Sequence, residues 1–139
     1  MNNTEQHNKL TDHEFENQFA SCKLDPTIFS HEAHLRLAYI YICKYGEEQA
    51  IERIQAQLKT YVAHVGAVDK YHTTLTVAAI KAVAHFIKKK KAKSFKPFLI
   101  EHPQLQTDFK SLINSHYSYD IFSDEKAKNQ YIAPDRVPF

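Results

Sequence analysis

The chain has 139 residues, enough for one domain that buries its own core. Its 2 glycines and 5 prolines are too few for a chain of many turns, and no segment approaches the roughly 20 apolar residues of a membrane span. The formal net charge of +2 is too small to indicate nucleic-acid binding. Cys22 and Cys43 lack a C-x-x-C spacing and lie in apolar or amphipathic stretches, so we expect reduced, buried thiols and a cytoplasmic location.

The amino-terminal part of the chain is polar and then becomes amphipathic. Residues 1–10 predict a flexible tail, and residues 11–139 predict a single helical domain. Phe15 and Phe19 recur at helical spacing with Cys22, which indicates a short first helix.

A second helix is predicted between Ser30, its N-cap, and Gly46, which ends it, and it contains most of the segment FSHEAHLRLAYIYIC at residues 29–43. His31, His34 and Arg36 precede a run that is too apolar for a surface helix. The sequence therefore carries polar groups into a core, where each needs a partner, a shifted pKa or a ligand.

Two further long helices follow. Gly46 and Gly66 bound an amphipathic third helix over residues 47–65. Thr73 or Thr74 is the expected N-cap of a fourth helix that runs into a lysine-rich tract.

Shorter elements are expected after that tract. Residues 95–100 predict one or two helical turns, and residues 105–116 predict another helix. From Tyr117 onward we expect a last short helix and an extended tail, because Pro134 and Pro138 oppose regular structure. The whole pattern predicts an all-α fold, a compact bundle of four to five helices with a disordered N-terminal tail and an extended C-terminal tail.

Three histidines are the candidate metal ligands. His31 and His34 stand three apart, which on a helix places their Cβ atoms roughly 5–6 Å from each other. His72, at the start of the fourth helix, is the natural third ligand if the second and fourth helices are neighbours. Three imidazoles with an open position suit a divalent transition metal such as zinc or iron. HEAH is one residue short of the HExxH pattern, so that protease mechanism is not expected.

Other polar residues near these histidines are candidates for binding and catalysis. Arg36 could hold a carboxylate or phosphate through its planar fork, and the hydroxyls of Thr74 and Thr76 could orient a polar ligand. His72, Tyr71 and Arg36 are the catalytic candidates, because imidazole and phenol groups can act as acids or bases. The leading hypothesis is a buried histidine-rich pocket that acts on a small polar or anionic molecule, with a metal if it is an enzyme.

Two other readings compete with this one. The histidines could be structural in a non-enzymatic interaction or ligand-binding module, including a homodimer, with Glu32 and Arg36 forming a local ion pair. The tract Lys88–Lys96, KKKKAKSFK, could grip nucleic-acid phosphates, although a solvated helix end is the commoner explanation of such a run.

Two motifs carry a resemblance. Residues 29–38 match the pattern F-T/S-H-x-x-H-L-x-L-A, and residues 71–76 match Y-H-x-T-x-T, with PDRVPF at the end of the chain. In this respect the chain resembles a group of small, uncharacterised bacterial all-helical proteins. The resemblance implies a helical fold and draws attention to the same histidines, tyrosine and threonines, and it implies no particular activity.

Overall fold

The computed structural model describes residues 5–89 and 92–139, and every regular element within these ranges is helical. The predicted all-α bundle is therefore confirmed. The α-helices of the described ranges are α1 (Asp12–Ala20), α2 (His31–Tyr45), α3 (Glu47–His64), α4 (Thr73–Lys89), α5 (Phe95–Glu101), α6 (Gln104–Thr107), α7 (Phe109–Asn114) and α8 (Glu125–Asn129). Short 3-10 helices cover Gln6–Lys9, Pro26–Ile28, Val68–Lys70 and Ile121–Ser123.

The three longest helices, α2, α3 and α4, pack against one another at the centre. The rings of Phe29, just before α2, and Tyr61, near the end of α3, have centroids 5.3 Å apart. At the other end, Lys88 Nζ of α4 lies 3.2 Å from Glu47 Oε1 at the start of α3. Helices α2 and α4 therefore both run opposite to α3, and both begin at the same end of the bundle.

Most helix ends follow the sequence signals. The Ser30 hydroxyl accepts from the Ala33 amide at the start of α2, and Gly46 leaves that helix with a φ of 88°. The start of α4 differs from the prediction. His72, and neither of the two threonines, caps this helix, since its Nδ1 accepts a hydrogen bond from the Leu75 amide at 3.1 Å.

Residues 5–10 are held against the bundle, although the polar sequence predicted a flexible tail there. Gln6–Lys9 form a 3-10 helix, and His7 is completely buried. A composition argument misses this arrangement because the partners of His7 lie more than 20 residues away. Residues 1–4 lie outside the described part of the chain.

The carboxyl-terminal part is more broken than expected. The single helix predicted over residues 105–116 is divided at Asp108, whose φ of −143° and ψ of 36° are not helical. Helix α8 confirms the last short helix. The expectation of two buried thiols was wrong, since Cys22 is half-buried and Cys43 is exposed. Within the described ranges, no helix combines the length and apolarity needed to cross a membrane.

Candidate ligand-binding cavity

A cavity of about 570 Å³ lies where the amino-terminal halves of α2 and α4 face the carboxyl-terminal half of α3. Its wall is mainly apolar and includes leucine, isoleucine, valine and alanine side chains of these three helices. Phe109 of α7 and Phe122 of the 3-10 helix Ile121–Ser123 contribute aromatic rings. Small-molecule sites in proteins have volumes of about 300–1,000 Å³ and mainly apolar walls, so this cavity has the size and character of such a site.

A small set of polar residues interrupts the apolar wall. These polar residues are His31, His34, Tyr61, Lys70, Tyr71, His72 and Thr76. No aspartate or glutamate is found among the described residues that line the cavity. The structure thus brings five of the predicted site residues to one cavity, whereas Arg36 and Thr74 lie elsewhere.

The two histidines of α2 use one ring nitrogen each on a backbone carbonyl. His31 Nε2 donates to the Leu105 carbonyl at 2.9 Å, and His34 Nδ1 donates to the Ser30 carbonyl at 2.8 Å. The His34 ring is accessible from the cavity and stacks on Phe29, with centroids 3.8 Å apart and planes 12° apart. The surrounding protein removes water from this ring and so lowers the pKa of His34, although the bond to Ser30 opposes the shift.

His72 has both ring nitrogens engaged. Its Nδ1 accepts from the Leu75 amide, and its Nε2 lies 3.0 Å from the Ile121 carbonyl, to which it donates. Burial lowers the pKa of His72, against the raising effect of the Ile121 bond. In this arrangement neither nitrogen of His72 is left to bind a metal. Its visible role is to join the start of α4 to the carboxyl-terminal region.

The predicted three-histidine metal site is not assembled. Within residues 5–89 and 92–139, the one group of three metal-ligating side chains whose ligand atoms all lie within 4.8 Å of each other is Glu5, His7 and Glu32. His31, His34 and His72 line the same cavity but do not form such a group. The sequence spacing placed His31 and His34 on one helix, but it could not show that His72 would use both of its ring nitrogens on backbone groups.

The hydrogen bonds of the Glu5, His7 and Glu32 cluster indicate a structural role. Arg36 Nη1 lies 3.2 Å from His7 Nδ1 and can only donate, so the proton of the neutral ring belongs on Nε2. That nitrogen lies 2.8 Å from Glu32 Oε2, to which it donates. A metal on Nε2 would move the proton to Nδ1, where it would face the Arg36 guanidinium. The bonding of His7 therefore favours a hydrogen-bonded role over metal binding.

The lowered histidine pKa values predict a loss of stability in acid. Burial is the largest cause of the low pKa of His7, and it also lowers the pKa of His34, His72 and His85. The unfolded chain binds protons on these rings near pH 6.5, before the folded chain does. We expect full stability above about pH 6.5 and a progressive loss below it. Urea unfolding at several pH values measures the free energy of unfolding. The variant His7→Gln, whose side-chain amide is always neutral, should lose less of this free energy in acid than the parent. An equal acid loss in parent and variant would show that His7 does not contribute.

Arg36 lies outside the cavity and holds the amino-terminal segment. Its guanidinium donates to the His7 carbonyl at 2.7 Å, the Leu10 carbonyl at 2.9 Å and Asp12 Oδ1 at 2.8 Å. Arg36 is 7% exposed. The local ion pair expected between Glu32 and Arg36 is absent from the described residues, because Glu32 is bonded instead to His7 and Gln106. The planar fork of Arg36 thus binds this chain's own backbone.

Thr74 also has a structural role. It is completely buried, and its hydroxyl donates to the Gln130 carbonyl at 2.8 Å and accepts from the Ile132 amide at 3.0 Å. Thr76 does line the cavity, with its hydroxyl donating to the His72 carbonyl one turn earlier. Of the two threonines predicted to bind a ligand, only Thr76 reaches the cavity.

Part of the lysine-rich tract forms an ion pair, and part lies outside the described residues. Lys88 pairs with Glu47 at 3.2 Å, and Glu47 also lies 3.6 Å from Lys81 Nζ. Residues 90–91 are not described. Nucleic-acid binding by this tract remains a prediction from the sequence, as does a homodimer.

The fold and the cavity together define an all-α helical protein with a mainly apolar cavity that is partly open to solvent. No protein-family model, no curated protein and no solved structure matches the chain. The resemblance drawn from the two sequence motifs therefore stays a prediction, and the function has to be argued from the cavity itself.

Sequence reasoning missed two residues of interest. Lys70 lines the cavity directly before the Y-H motif, and its position next to Tyr71 could have suggested it. His7 lies in a polar stretch without periodicity, so no sequence signal distinguishes it from its neighbours.

Proposed function

We propose that this protein binds a small, largely apolar molecule in the cavity between α2, α3 and α4. The observation that carries the proposal is an apolar space of about 570 Å³ in the centre of the bundle, with few polar groups in its wall. Ligand sites in proteins are concave and mainly apolar with a few polar groups, and this partly open cavity shares those properties.

Among the hypotheses drawn from the sequence, this proposal corresponds to the non-enzymatic ligand-binding module with structural histidines. A metal-dependent enzyme receives less support, because both ring nitrogens of His72 are hydrogen-bonded to backbone groups and His31, His34 and His72 do not form a compact group of ligand atoms in the described part of the chain. We place the binding in the cytoplasm, since Cys22 and Cys43 are not joined by a disulfide.

A neutral fluorescent probe tests the proposal. N-phenyl-1-naphthylamine becomes bright in apolar surroundings, and the chain has no tryptophan to interfere. We expect saturable binding by the folded parent. The variant Ala79→Phe places an aromatic ring in the cavity and should abolish binding without loss of stability, since the added ring fills empty space.

The matched control is Ala56→Phe, which adds the same ring at an exposed position of α3 that does not line the cavity. This variant should bind the probe like the parent. Circular dichroism and thermal unfolding of all three proteins establish that they are folded. Absence of binding by the folded parent, or equal binding by Ala79→Phe, would overturn the proposal.

A further inference from the structure

We propose that the ligand carries a neutral hydrogen-bond donor, an N–H or O–H group, which Nε2 of His34 accepts in the cavity wall. This inference rests on the proposed binding function and names the chemical class of the ligand. Such a ligand is apolar over most of its surface and uncharged at its polar group.

The His34 side chain is an accessible group on a helix that is otherwise largely buried. Residues 35–41 of α2 are all buried, whereas His34 is exposed and lines the cavity. The His34 ring is nevertheless surrounded by protein, since loss of water is the largest cause of its lowered pKa. A ring that is both accessible and surrounded by protein faces the cavity rather than the outer surface.

Two contacts decide which part of the His34 ring a ligand can reach. One face of the ring is covered by Phe29, with centroids 3.8 Å apart and planes 12° apart. The Nδ1 atom is covered by the Ser30 carbonyl oxygen, which lies 2.8 Å away. The opposite face and the outer edge of the ring, which carries Nε2, are left to the cavity.

The Ser30 carbonyl also fixes the position of the ring proton. A carbonyl oxygen can only accept, so the proton of the neutral ring is on Nδ1, and Nε2 carries a lone pair. Because the pKa of His34 lies below its ordinary value, the ring is neutral at pH 7.5. Within residues 5–89 and 92–139, no group donates a hydrogen bond to Nε2. The cavity wall therefore offers an unused acceptor.

An acceptor in an apolar wall favours a ligand that can donate to it. A ligand in the cavity keeps water away from Nε2. If the ligand has no donor, this nitrogen is left unsatisfied, and that costs free energy. An N–H or O–H group of the ligand would satisfy it.

Other polar groups in the wall are bonded to the chain itself. His31 donates from its outer nitrogen, Nε2, to a backbone carbonyl, so its remaining nitrogen is Nδ1, next to the attachment of the ring to Cβ. Both ring nitrogens of His72 are hydrogen-bonded. The hydroxyls of Tyr61 and Thr76 donate to backbone carbonyls. Of the three cavity histidines, His34 is thus the one whose outer nitrogen remains for a ligand.

The test compares two molecules of nearly the same shape, of which only one has a donor. Indole carries an N–H group, and indene has a methylene group in its place. Isothermal titration calorimetry at pH 7.5 measures the affinity of each molecule for the parent and for His34→Phe, whose ring can still stack on Phe29 but accepts no hydrogen bond. We expect the ratio of indole affinity to indene affinity to fall about tenfold in His34→Phe.

The matched control is His13→Phe, the same substitution at an exposed position of α1 that does not line the cavity. Its affinity ratio should equal that of the parent. Circular dichroism and thermal unfolding establish that the variants are folded. Nitrogen NMR of the parent, labelled at histidine, gives a second measurement that needs no variant. Nε2 of His34 should be hydrogen-bonded in the indole complex and unbonded in the indene complex.

The outcomes separate the two proposals. Indene binding by the parent tests the cavity alone. An affinity ratio that is unchanged in folded His34→Phe, or an unbonded Nε2 in the indole complex, would overturn the donor assignment while the cavity function stands. A parent that binds indene but not indole would do the same. If the parent binds neither of these molecules nor the fluorescent probe, both proposals fall. A ratio that falls in His34→Phe and is kept in His13→Phe would support both.

Discussion

Replacing Arg36 by methionine is expected to destabilise the protein by about 3 kcal/mol, because several buried hydrogen bonds lose their donor together. The carbonyls of His7 and Leu10 would be left without the guanidinium, and His7 Nδ1 would lose the group that fixes its tautomer. Asp12 contributes less to the cost, since its side chain is 62% exposed and water can replace the arginine. Methionine retains the length of the apolar stem and so isolates the loss of the polar head.

Urea unfolding measures this effect, with Arg53→Met as the matched control. Arg53 is exposed, and its guanidinium lies 4.1 Å from the centre of the Tyr45 ring, a contact worth about 0.5–1 kcal/mol at an exposed site. Trypsin provides a local readout, since release of residues 5–10 would expose the bond after Lys9. Arg36 does not line the cavity, so the neutral probe should still bind to folded Arg36→Met. Equal stability of the two arginine variants would refute the anchoring role.

Replacing Thr74 by valine is expected to cost about 1–3 kcal/mol, because one hydroxyl serves two backbone groups. Valine has nearly the same shape, so the loss comes from the bonds to Gln130 and Ile132 rather than from packing. Thr76→Val is the matched control on the same helix, where the lost bond lies within one helical turn, and it should cost less than about 1 kcal/mol.

Hydrogen exchange gives this prediction a local test. The Ile132 amide donates to Thr74 and should exchange faster in Thr74→Val than in Thr76→Val. An Ile132 amide that exchanges equally in both variants would mean that other contacts hold residues 130–139 in place.

The long helices could be predicted because their signals are local. Ser30 and Gly46 bound α2 as expected, and the apolar spacing of α3 matches its buried face, which includes Ala50, Ile54 and Leu58. The break at Asp108 and the anchored residues 5–10 could not be predicted in this way, because they depend on contacts between distant parts of the chain.

In the candidate site, too, contacts between distant parts of the chain could not be predicted. The sequence singled out polar residues in apolar surroundings, and that criterion found His31, His34 and Tyr71 in the cavity wall. The same criterion also selected Arg36 and Thr74, whose partners include backbone groups 26 or more residues away. A buried polar side chain needs a partner in either case, and its residue type does not say whether that partner is a ligand or the chain itself.

If the proposed ligand binding holds, the position of the cavity would link ligand supply to the amount of folded protein. A ligand bound between α2, α3 and α4 as proposed would contact three helices that come together only in the folded chain. Thermodynamic linkage then adds about 2.7 kcal/mol to the free energy of unfolding when the free ligand is at 100 times its dissociation constant. In a cell that degrades unfolded chains, the abundance of such a protein would rise and fall with the concentration of its ligand.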